Sequence, residues 1–110
     1  MSAQPQEPFK RIPVAEAKRL VDAGVPVIDV REPHEYHAGH VPGATLVPLN
    51  TFLRSPRQHL PAGGPVLFIC AVGQRSAVAA EMAAAVGARD VINIEGGTNG
   101  WIEKGYPTER

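Results

Sequence analysis

The sequence has a single cysteine in 110 residues, which rules out an intrachain disulfide and fits a reducing compartment. It has no excess of charge, because Lys plus Arg and Asp plus Glu number 11 each. That balance argues against the basic surface of a nucleic-acid binder and against a polybasic membrane contact. No apolar run approaches membrane-spanning length. The first residues, Met1 to Pro8, are polar and proline-bearing and lack a cationic start with an apolar core. No signal peptide is expected from them, and the expected location is the cytoplasm. There is no internal repeat and no low-complexity linker. What is present is ordinary globular composition, 44% hydrophobic and 20% charged, in a chain long enough to bury one core.

Residues 1–8 read as a flexible tail and residues 9–110 as one domain. Phe9 to Ile12 reads as a short edge strand. Val14, Ala17, Leu20 and Val21 fall at helical spacing before Gly24. The β-branched run Pro26 to Val30 is too short for a helix and reads as a buried strand. Pro33 suits a first helical position, and Gly39 ends a helix of one or two turns. Ala44 to Val47 reads as a strand and Leu49 to Arg54 as a helix closed by Pro56. Residues 59–64 read as loop. Val66 to Ile69 is a further strand, Ser76 to Val86 an alanine-rich helix ended by Gly87, Val91 to Ile94 the last strand, and Thr98 to Lys104 a short helix. Strands alternate with helices, the pattern of an α/β domain with a mostly parallel sheet covered on both faces.

Ligands of such sheets bind beyond the carboxyl ends of the strands. Cys70 stands at such an end, between the apolar run Pro65 to Ile69 and the alanine-rich helix. Unpaired amides at a helix start, with the helix dipole, favour a thiolate there. Arg75 adds a permanent cation, Gly73 lets the loop curl around a central atom, and Ser76 is placed to cap the following helix. Such a loop, formed by Cys70, Ala71, Val72, Gly73, Gln74, Arg75 and Ser76, suits an anion or a persulfide on Cys70. No histidine adjoins the cysteine to act as a base, so the chemistry must run on a pre-formed thiolate.

The other polar residues read more plainly. Asp29 lies at a strand end on the same sheet edge as Cys70, and its expected role, with Arg31, is structural support through an ion pair. Glu32 and Glu35 read as caps of a short helix. His34, His37 and His40 recur at every third position, but Gly39 breaks the helix before His40 and no second cysteine is available, so no metal site is expected. Trp101 follows a Gly-Gly turn and reads as a core or pocket-wall aromatic. Arg54, Arg57 and His59 form a mild basic cluster expected on the solvated surface.

The motifs together resemble the rhodanese family of sulfurtransferases. Cys70 to Ser76 matches its C-x-x-G-x-R-S loop. Ile28-Asp29-Val30-Arg31-Glu32, with Glu35, is similar to its D-x-R-E segment, Gly39 to Ala44 to its G-H-I-P-G-A segment, and Gly96-Gly97 with Trp101 to its G-G-x-x-x-W ending. The resemblance runs from residue 9 to residue 107. It implies a five-stranded, mostly parallel sheet flanked by helices on both faces. It also implies that Cys70 takes a sulfane sulfur from thiosulfate or a persulfide and passes it to cyanide, a thiol or a partner protein, with no cofactor. The amides of residues 71 to 76 would cradle the persulfide, and Arg75 would help hold a small anionic donor. Phosphatases of the same fold use a loop one residue longer. Here four residues separate Cys70 from Arg75 and position 76 is serine, so phosphatase chemistry ranks lower. A relay module serving a dedicated protein partner and a non-catalytic interaction domain are the other readings. The intact cysteine weighs against the last. Because Arg75 is the loop's only charge, a persulfide is expected to suit it better than thiosulfate.

Overall fold

The computed structural model describes residues 7–110; six of the eight residues expected to form a tail lie outside them. Five strands form one sheet: β1 (Lys10–Pro13), β2 (Val27–Asp29), β3 (Thr45–Leu46), β4 (Val66–Ile69) and β5 (Val91–Glu95). Their order is β1-β5-β4-β2-β3, and every pairing is parallel. Six helices connect them: α1 (Val14–Asp22), α2 (Pro33–Ala38), α3 (Leu49–Arg54), α4 (Pro56–His59), α5 (Gln74–Ala85) and α6 (Gly97–Glu103).

The period-two alternation of the central strands divides the core between the two sheet faces. Leu67, Ile69, Ile92 and Ile94 pack with Ala17 of α1 and Trp101 of α6. Val66, Phe68 and Val91 pack with Phe52 of α3 and with Ala79, Ala80 and Ala83 of α5. Three alanines on the buried face of α5 let its backbone lie close to the sheet. Trp101 is buried, as expected; its indole N–H donates to the Pro107 carbonyl at 2.7 Å, and its ring meets Tyr106 edge-on.

Two local expectations need correction. Pro56 does not simply close α3; it opens the separate turn α4, at the first helical position where its missing N–H costs nothing, and α4 takes in His59 from the expected loop. Ser76 is not the cap of α5. The helix begins two residues earlier, with Gly73 as N-cap at φ 112°. A left-handed residue is needed to swing the chain from the loop into the helix, and glycine adopts that conformation without strain.

Candidate active site

β4 and α5 deliver Cys70 to the carboxyl end of the sheet, almost fully buried at 1% exposure. The amide of Gly73 donates to Cys70 Sγ at 3.1 Å, and the Ser76 hydroxyl donates at 3.3 Å. Burial raises the thiol's pKa. The Ser76 hydroxyl and the amides of Ser76, Gly73 and Val72 outweigh that effect, so the net direction is downward, toward the thiolate. Ser76 thus serves the sulfur from inside the first turn of α5 rather than capping the helix.

The inward aim of these amides depends on what holds the loop's carbonyls. The Thr98 amide and hydroxyl both donate to the Cys70 carbonyl, at 2.8 and 3.1 Å, and the Asn99 amide donates to the Ala71 carbonyl at 3.1 Å. The start of α6 therefore pins those carbonyls away from the cradle. On the other side, Asn93 Nδ2 donates to the Gly73 carbonyl at 3.1 Å and also to Glu95, which accepts from Arg11. Asn93 is fully buried. Its signal in the sequence was a polar residue inside the apolar run Val91-Ile92-Asn93-Ile94, where burial requires a partner.

Asp29 and Arg31 form the expected pair. The Arg31 guanidinium donates to both Asp29 carboxylate oxygens at 2.8–3.1 Å and to the Gly39 carbonyl at 2.9 Å. Both side chains are buried. This pair ties β2 to the turn after α2 and does not touch Cys70. Glu32 and Glu35 form a reciprocal capping box on α2.

Glu35 has a second role that its spacing did not reveal. Its two carboxylate oxygens accept from Arg75 Nη1 and Nη2 at 2.8 and 2.9 Å. The Arg75 hydrogen bonds draw the Glu35 carboxyl down to about 2. Of the remaining loop residues, Gln74 and Val72 are exposed and Ala71 is half-buried. His34 and His37 are exposed. His40 is buried, stacked on Tyr36 with ring centroids 3.6 Å apart. Among the described residues, no three His, Cys, Asp or Glu side chains converge as metal ligands. Arg54 and Arg57 are exposed. Arg57 lines a cavity of about 380 Å³ with Leu60, Val66, Val86 and Arg89. That cavity sits at the opposite end of β4 from Cys70.

With this geometry in hand, comparison with known proteins is decisive. The family model of the rhodanese-like domain matches residues 13–104. The chain belongs to the rhodanese-like domain family. The thiosulfate sulfurtransferase GlpE of Pseudomonas fluorescens strain SBW25 is 35% identical over 104 residues, covering 92% of this chain and 91% of that protein. A rhodanese-related protein of Thermoplasma volcanium superposes with a TM-score of 0.82 at 34% identity, covering 92% of this chain and 98% of that one. A Rhodopseudomonas palustris protein of unknown function, described as a possible tyrosine phosphatase, superposes with a TM-score of 0.77 at 31% identity, covering 92% and 85%. The five-stranded parallel sheet is therefore the rhodanese-like fold. No helix among the described residues is long and apolar enough to cross a membrane.

Proposed function

We propose that this rhodanese-like domain moves a sulfane sulfur through a persulfide on Cys70. The observation that carries this reading is the hydrogen-bonded sulfur: one backbone amide and one hydroxyl, from Gly73 and Ser76, both aimed at Cys70 Sγ. In the first half-reaction the Cys70 thiolate attacks the outer sulfur of a donor. With thiosulfate, the S–S bond breaks, its electron pair leaves on sulfite, and a Cys70–S–S⁻ persulfide forms. In the second half-reaction an acceptor attacks the outer sulfur, and the Cys70 thiolate leaves. Cyanide would become thiocyanate, and a thiolate would become a persulfide. No proton need be abstracted from the nucleophile, which agrees with a site that presents no histidine to the sulfur.

The amides that stabilise the thiolate would equally stabilise the terminal persulfide anion. Four residues between Cys70 and Arg75 make a cradle suited to one sulfur atom rather than a phosphate group, and Ser76 stands where the longer phosphatase loop needs its arginine. A second reading is delivery to a protein acceptor, whose surface would meet exposed Val72 at the loop.

Steady-state kinetics with thiosulfate and cyanide test the scheme. Double displacement predicts parallel double-reciprocal lines and release of sulfite before cyanide is added. Intersecting lines with no sulfite before the acceptor would contradict the covalent route.

A further inference from the structure

The loop has one charged side chain, Arg75, and that charge is matched. Glu35 holds the guanidinium with two parallel bonds, at 2.8 and 2.9 Å. Arg31, after β2, is matched in the same way by buried Asp29. Ala71, Val72, Gly73, Gln74 and Ser76 carry no charge. These two pairs sum to zero, so beyond the loop amides, which serve any anion alike, they add no net positive charge to attract a dianion. To use Arg75, a dianion must compete with a carboxylate already seated on it. A donor with little charge meets no such barrier, and exposed Val72 offers its carbon chain an apolar contact.

We propose that Glu35 is a specificity-determining residue which, by neutralising Arg75, sets the domain to take sulfur from low-charge organic persulfides in preference to thiosulfate. This rests on the sulfurtransferase reading above. The step is balanced: the Cys70 thiolate attacks the outer sulfur of R–S–SH, the donor's S–S bond breaks, and R–S⁻ leaves as Cys70–S–SH forms. No oxidant or reductant enters.

The test is single-turnover loading of Cys70, followed by intact mass, with two donors: thiosulfate and the persulfide of N-acetylcysteine amide. The wild-type protein is expected to load faster from the persulfide. Glu35→Gln should raise the thiosulfate rate constant about tenfold and change the persulfide constant less than about threefold. Glu35→Asp retains the charge and alters the reach, and should show no gain with thiosulfate. Equal changes for both donors, a gain in Glu35→Asp equal to that in Glu35→Gln, or faster wild-type loading from thiosulfate would each overturn the assignment. Loading of Cys70 by neither donor would remove the sulfurtransferase reading itself, whereas loading by both with an unmoved ratio would remove only the role of Glu35.

Discussion

Gly97 lies so close beneath Cys70 that a methyl group added to it would fall 2.5 Å from the Cys70 carbonyl oxygen, and at the same distance from that of Ala71. Its φ of 57° adds a second requirement for glycine. The contact explains Gly97: it lets the start of α6 reach the loop and hold its carbonyls. Gly97→Ala must push the loop from α6 and misplace the sulfur cradle. The expected outcome is a loss of about 1–3 kcal/mol of stability and a fall in sulfur-loading rate of about a hundredfold. Chemical denaturation and loading rates measure the two; wild-type values for both would contradict the contact.

Ser76 acts on the thiol by direct donation. Removing the hydroxyl in Ser76→Ala leaves burial opposed by the backbone amides alone. The thiol of that variant is expected to titrate at higher pH than in the wild type. The pH dependence of thiolate ultraviolet absorbance reads this directly, and an unchanged midpoint would remove the serine from that role. The activity of the variant should fall most steeply toward low pH, where its thiolate is scarcest.

Glu35 makes a pH-dependent contribution to stability. Its folded pKa is depressed from the ordinary 4.5 to about 2. The contribution is therefore complete above about pH 4.5 and is lost as pH falls through the folded value. With side-chain exposures of 24% for Glu35 and 36% for Arg75, screening by solvent reduces it to about 1 kcal/mol. Urea unfolding from pH 6 to pH 2, with Glu35→Gln as reference, should show the two proteins converging toward the acid end. A constant gap between them would contradict the linkage.

The Asp29–Arg31 pair is buried, so it is costly to break from one side. Asp29→Ala leaves the Arg31 guanidinium with only the Gly39 carbonyl, and a loss of about 3–5 kcal/mol is expected. Double replacement of Asp29 and Arg31 by apolar residues should cost less than Asp29→Ala alone. Equal losses would show that the pair itself, rather than the stranded charge, carries the stability.

Much of this architecture was legible because it rests on local signals. The runs ending at Val30, Ile69 and Ile94 have the length and β-branching of buried strands, and Gly24, Gly39 and Gly87 stop the helices between them. Cys70 was legible as the lone thiol between such a strand and an alanine-rich helix. Contacts between distant segments were harder to read. Glu35 and Arg75 are 40 positions apart, and nothing in helix capping foretells that a capping carboxylate also seats an arginine. Ser76 differs from its expected capping place for a related reason: α5 starts from Gly73 at positive φ, which puts the serine inside the first turn, where its hydroxyl reaches the sulfur. A polar residue in an apolar strand demands a partner, but the sequence does not say which: Asn93 finds one in the Gly73 carbonyl, 20 positions away. A proline can end one helix or begin the next, and only the structure shows that Pro56 begins α4.

The central claim is that Cys70 carries the transferred sulfur, and intact mass measures this most directly. After incubation with a persulfide or thiosulfate donor and removal of the excess, the wild-type protein should gain the mass of one sulfur atom. Cyanide should remove that sulfur as thiocyanate, and Cys70→Ser should gain none. No added sulfur on the wild-type protein from either donor, or equal gain on Cys70→Ser, would contradict the account.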